Sequence, residues 1–243
     1  MKTQQPNGYI LYEGPSAIDG APIVVIATGF ADASANPKTG DMIQTWILRA
    51  DLAPHHAVKA GQDSSICGQC EHRPAMRAKV LASGAPFVRC YVPTYRAPLS
   101  VYGAFTRGRY PRASLSDIAR LCAGRMVRFG SYGDPYAAPI GIWQAIAGTA
   151  AGWTGYSHQW RIAGPQWARL VMASADSLQD MTDAHALGFR TFRVTARAFE
   201  NVKGLETVCP ASKEKQAVTN CATCRACMGT ASKARVSVQI ARH

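Results

Sequence analysis

Acidic side chains are scarce in this chain. Asp and Glu number 15 against 27 Lys and Arg, a formal net charge of +12 over 243 residues. Charged residues make up only 17% and hydrophobic ones 47%, a balance that excludes a mainly disordered chain. Long apolar runs are missing too. Stretches such as Ala21–Ala27 fall far short of the roughly 20 residues a helix needs to cross a bilayer, so no membrane span is expected. The opening MKTQQPNGYILYEG holds a lysine but no apolar block, so no secretory signal is readable. The phosphate-cradling G-x4-G-K-[ST] loop and the G-x-S-x-G nucleophile elbow are both absent. P-loop and α/β-hydrolase chemistry are thereby set aside.

The basic excess is concentrated. Between Arg73 and Arg128 stand eleven basic residues, ten of them arginine, against a single acid, Asp117. The planar guanidinium fork matches phosphate better than a lysine point charge does. A polyanion partner is the expectation, with nucleic acid foremost. Arg96, Arg107, Arg109 and Arg112, with Tyr110 among them, are the candidate contacts. Arginine neutralises phosphate, and an aromatic ring stacks on a base. An acidic host protein would satisfy the same charges.

Eight cysteines are the other marked feature. Without an export signal the expected compartment is the cytoplasm, where stable disulfides are rare and closely spaced cysteines read as metal ligands. Cys209-Pro210 is followed by Cys221, Cys224 and Cys227, spaced i, i+3, i+6. Such a turn wraps one centre, with the distant Cys-Pro as fourth ligand; it suits a [4Fe–4S] cluster, and four thiolates also suit Zn2+. Cys67-x2-Cys70 with Cys90 and His72 allows a Cys3His zinc site, a three-cysteine cluster with an open position, or buried free thiols. Cys122 stands alone on an apolar helix face and reads as core.

The middle of the chain reads as repeated strand–helix units. Strands are expected at 126–129, 155–160, 170–173, 189–195 and 235–240, with helices at 99–106, 114–122, 140–151 and 178–187. Such alternation argues for a parallel sheet. The helices are short, so the expected fold class is α/β, an irregular or partial (β/α) barrel with an N-terminal β-hairpin and cysteine-rich metal-binding loops. The hairpin pairs 23–27 with 42–49 across the turn Asn36–Gly40; 53–65 reads as loop and 87–92 as strand. One domain is expected over 1–243: a hairpin region to 65, a cysteine loop over 66–98, a β/α core over 99–200, and a C-terminal metal loop with the last strand. Polar residues cluster where strands should end. Asp134, His158 and Asp176 are candidates for acid–base catalysis, since a carboxylate beside a histidine fixes its tautomer; they also suit a polar network closing the strand ends.

Several of these motifs resemble a family. C-G-x-C-x-H-R near residue 67, R-C-Y-V at 89, R-x-G-S-Y-G-D-P at 128, G-Y-S-H-Q-W at 155, M-A-S-A-D-S at 172 and C-P…C-x2-C-x2-C-x-G at the end resemble uncharacterised cysteine-rich proteins of bacteriophages and related mobile elements. Those are distantly similar to phage radical-SAM-like barrel proteins, and the likeness spans roughly residues 36–243. The C-x3-C-x2-C loop of radical SAM enzymes is not present here. The resemblance implies a metalloprotein working in a host cytoplasm. Three functions follow as expectations: a metalloprotein that binds or acts on nucleic acid, a radical-SAM-like or hydrolytic enzyme using the strand-end residues, or an accessory protein docking on an acidic host protein.

Overall fold

The computed structural model describes residues 5–34 and 36–242. Ten strands form two five-stranded sheets. The first begins with β1 (Gly8–Pro15), β2 (Pro22–Thr28) and β3 (Ile43–Arg49), paired antiparallel in that order. β2 is a β-branched run whose residues Ile23 to Ala27 are all buried. That suits a central strand covered on both faces. β4 (Met126–Tyr132) and β5 (Gly152–Thr154) then add in parallel to β3. The second sheet is wholly parallel, in the order β6 (Tyr156–Ser157), β7 (Met172–Ala175), β8 (Thr191–Thr195), β10 (Ser237–Ala241), β9 (Glu206–Val208).

The strand expected over 155–160 is broken in two and displaced toward the N-terminus. Gly155 lies between β5 and β6 and hands the chain from one sheet to the other. Its N–H donates to the Cys227 carbonyl at 3.2 Å, and its carbonyl accepts from Met172 at 2.9 Å. A side chain there would meet the Leu170 carbonyl at 3.1 Å. The sheets do not close into a barrel; the architecture is mixed α/β with two sheets.

Helices cover the sheets as the apolar spacing requires. α5 (Leu115–Cys122) starts at Ser114, which caps the Asp117 N–H while Asp117 caps the Ser114 N–H. This reciprocal pairing satisfies two amides a helix start otherwise leaves free. α6 (Ile140–Ala147) buries Trp143 against Phe129 of β4, their ring centres 5.0 Å apart. α7 (Leu178–Ala186) follows β7, capped by Ser177.

Three expectations are corrected. Residues 53–65 are not loop but carry α1 (Pro54–Lys59) and α2 (Ser64–Cys67). Proline opens α1, where its missing N–H costs nothing. Residues 87–92 are not a strand; Pro86 and Pro93 flank them, and the segment pairs with neither sheet. Strand β9 lies in a segment where none is expected. The remaining helices are α3 (Arg77–Ala82), α4 (Ala97–Thr106) and α8 (Cys221–Cys224). No helix among the described residues is long and apolar enough to cross a membrane.

Candidate metal centres

The parallel strands bring two sets of expected residues into one place. Asp134 follows β4, His158 follows β6 and Asp176 follows β7. Asp134 is buried, and its carboxylate accepts the His158 N–H at 2.8 Å and the Tyr136 N–H at 3.0 Å. Its own N–H donates to the Ile66 carbonyl, which draws α2 and the cysteine turn onto the strand ends. Gln159 completes that attachment by donating to the Cys67 carbonyl at 3.1 Å. Nearby, Arg73 and Asp63 form a buried ion pair at 2.8 Å.

Asp176 sits between two histidines. His72 Nε2 is 3.0 Å from Asp176 Oδ1, and His158 Nε2 is 3.4 Å from Oδ2. The first is within hydrogen-bond reach; the second is an ion-pair distance without hydrogen-bond alignment, and His158 Nε2 is buried with no hydrogen bond. Among the described residues, this is the one trio of histidine, cysteine or carboxylate ligand atoms lying mutually within 4.8 Å. Burial works to raise the Asp176 carboxyl, but its pairing with His158 and His72 holds it well below the usual range.

The thiols stand beside this trio. Cys67, Cys70 and Cys90 line a cavity of about 250 Å3, with Asp63, Arg73 and Tyr132 on its wall. Burial pushes the Cys67 and Cys90 thiols up. Burial acts on Cys70 in the same direction, but the charges of His158 and His72 outweigh it and hold Cys70 below its ordinary value. Among the described residues, Cys67, Cys70, Cys90 and His72 do not come together as one group of ligand atoms. His72 turns to Asp176 instead, anchored by its Nδ1 on the Val88 carbonyl at 2.8 Å.

The C-terminal cysteines meet on the second sheet. Cys209, Cys221, Cys224 and Cys227 line a cavity of about 40 Å3. Cys209 and Cys227 pack with Met172, Val238 and Ile240 in a core cluster of their own. Burial pushes Cys227 up to about 12, with the three other thiols adding to the rise and a hydrogen bond from Tyr156 opposing it. The hairpin turn holds this motif from outside: Cys221 and Ala222 donate to the carbonyls of Lys38 and Thr39, each at 3.0 Å. Arg190 holds it from beneath, donating to the carbonyls of Ala226 at 2.8 Å and Gly229 at 2.9 Å. Gly229 has φ +54, and a Cβ there would sit 2.4 Å from the Ala168 carbonyl. Only glycine fits that approach.

The arginine candidates do not gather in one patch. Arg96 precedes α4 and Arg107 ends it, about 15 Å apart along a helix of that length. Arg112 is ion-paired with Glu13 at 2.5 Å. Tyr110 is half-buried against Gly8 of β1, so its ring is not free to stack. A different aromatic-basic group borders the strand-end cavity. Arg89 and Arg96 are exposed there, beside Tyr91 at 75% and Tyr95 at 67% exposure. Arg128 Nη2 steadies Tyr91 through its hydroxyl at 2.9 Å, and Arg96 lies 5.8 Å from the Tyr95 ring centre.

The chain matches no family model, no curated protein and no solved structure. The resemblance to mobile-element proteins therefore rests on its motifs alone. Site geometry adds residues that sequence reading passes over, the Asp63–Arg73 pair and Arg190 beneath the C-terminal cysteines, and gives the strand-end Gln159 a partner in the Cys67 carbonyl. Arg190 sits among ordinary strand-start residues, with no spacing that marks it.

Proposed function

We propose that this chain is a metalloprotein, of the kind mobile elements carry, that holds single-stranded nucleic acid over a strand-end cavity. The observation that carries the reading is the rim of that cavity. Arg89 and the exposed Tyr91 and Tyr95 line the same cavity as Cys67, Cys70 and Cys90, and Arg96 lies 5.8 Å from the Tyr95 ring centre. Rings give a stacking surface for bases while guanidinium groups take phosphate.

The four C-terminal cysteines serve as a structural centre in this reading. Four thiolates around one cavity supply the donor set of either a [4Fe–4S] cluster or a single Zn2+. When bound, the group ties the C-terminal strand to the hairpin turn and adds its binding energy to folding.

A second reading, an enzyme, is favoured by the open cavity with three cysteines and a histidine–carboxylate group at the ends of parallel strands. That is where α/β folds place catalytic residues.

The test combines two measurements on anaerobically purified protein. Iron, sulfide and zinc content with an absorption spectrum decides the centre: thiolate–iron charge transfer lost in Cys224→Ala, together with a lower melting temperature, is expected. Titration with fluorescent single-stranded DNA and RNA should show affinity falling steeply with salt and weakening in a Tyr91→Ala/Tyr95→Ala variant. Absence of binding at low salt would hand the basic face to an acidic protein partner.

A further inference from the structure

We propose that His72, His158 and Asp176 form a binding site for one divalent transition-metal ion, distinct from the C-terminal four-cysteine centre. The three ligands come from unrelated parts of the chain and converge only through the sheet. His72 belongs to the cysteine turn, His158 follows β6 and Asp176 follows β7.

Lone-pair geometry is the first argument. His72 Nδ1 faces the Val88 carbonyl at 2.8 Å and must donate to it. In the neutral ring that leaves Nε2 as an acceptor. Yet Nε2 faces a carboxylate oxygen, another acceptor, at 3.0 Å. Such a facing pair is reconciled by a metal cation held between the two atoms or by a second proton on the ring, and metal content separates the two. On the other side of Asp176, His158 Nε2 is buried 3.4 Å from Oδ2, beyond close hydrogen-bond distance.

Spacing is the second argument. Ligand atoms bonded to zinc at about 2.0–2.2 Å in a tetrahedron lie about 3.3–3.6 Å from one another. His158 Nε2 lies 3.4 Å from Asp176 Oδ2, inside that range, His72 Nε2 lies 3.0 Å from Oδ1, just short of it, and one ligand atom from each of the three residues lies within 4.8 Å of the other two.

The supporting contacts are the third. A metal-bound histidine usually donates its other N–H to a carbonyl or carboxylate, which fixes ring and tautomer. Val88 does this for His72. The Asp134 carboxylate holds the His158 backbone. Three protein ligands leave a fourth position open, the arrangement of catalytic rather than structural zinc. Cys70, which lines the cavity, stands beside both His158 and His72. Metal content decides this site and strand affinity decides the nucleic-acid reading, so the two fail separately.

The experiment uses the full chain with its C-terminal centre loaded, titrated anaerobically with Zn2+ and with Co2+. One further equivalent of metal should bind, with visible Co2+ d–d absorption and a cobalt-edge spectrum dominated by nitrogen and oxygen scattering with imidazole features. His158→Ala and Asp176→Ala should each weaken that binding at least about tenfold while the C-terminal metal content and circular dichroism stay as in the parent. Should a variant misfold, the cobalt-edge spectrum of the unmodified protein still decides. Stoichiometry confined to the C-terminal centre would overturn the proposal, leaving His72 as a charged imidazolium paired with Asp176. A sulfur-dominated spectrum would overturn it as well, by placing the metal on Cys67, Cys70 and Cys90.

Discussion

The backbone N–H of His158 donates to the buried carboxylate of Asp134 at 2.8 Å, so a residue just past β4 sets the direction in which the residue after β6 leaves its sheet. The same carboxylate takes the Tyr136 N–H at 3.0 Å. Asp134→Ala strips both amides of their acceptor. An unpartnered buried donor costs about 1–3 kcal/mol, so with two such donors urea denaturation should show a loss of about 2–6 kcal/mol. Asp134→Asn keeps one acceptor oxygen and should recover part of it.

Arg190 is the clamp of the C-terminal loop. Its guanidinium donates to the carbonyls of Ala226, Gly229 and Val236. Arg190→Lys cannot reproduce that planar fork. The variant should lose its C-terminal metal to a chelator faster than the parent, measured by the decay of the absorption band. Equal decay rates would show that the clamp does not hold the centre.

Cys122 lies fully buried at the end of α5, and burial pushes its thiol up to about 12. The thiolate is the reactive form. In the folded protein at pH 8, iodoacetamide should leave Cys122 unmodified by mass spectrometry, and unfolding in urea should expose it.

Asp117 shows the pH dependence of one helix start. Hydrogen bonds from Ser114, then from Arg120, hold its carboxyl down at about 2. A carboxyl depressed on folding adds stability above its unfolded pKa of about 3.9. That contribution fades as pH falls through about 2. Asp117→Asn should therefore unfold more readily than the parent at pH 6, and the two curves should converge near pH 2.

Charge reversal at Arg107 and Arg109 tests where nucleic acid lies. Both are exposed and distant along α4 from the Tyr95–Arg96 rim. If the strand runs the length of α4, the double variant should flatten the log–log salt dependence by roughly one to two units, at about 0.7 per contact. If the strand stays on the rim, only Arg89 and Arg96 reversal should flatten it.

The C-terminal cysteine group was legible because its members are close in sequence. Cys221, Cys224 and Cys227 repeat every third residue, and one short helix and a turn suffice to bring them together. The strand-end trio was legible only in pieces. Asp134, His158 and Asp176 follow strands and could be grouped, but His72 is 104 residues from Asp176. Its short-range neighbours Cys67 and Cys70 suggest a thiol site instead. Tyr110 shows the same difficulty on the surface. Its place between arginines reads as a stacking ring, whereas packing on Gly8 takes it out of solvent.

The sequence by itself determined the basic excess, the two cysteine groups, the alternation of strands with helices and the cap at Ser114. Each depends on residues within a few positions of one another, where side-chain period and capping chemistry act. Only the tertiary structure decided that the sheet divides at Gly155, that the hairpin turn seats Cys221, and that His72 faces Asp176 rather than the neighbouring thiols. Those outcomes depend on which strands lie side by side, and that choice is made by packing the whole core at once. No local pattern encodes it, because the groups that meet are separated by many residues whose own burial sets their positions.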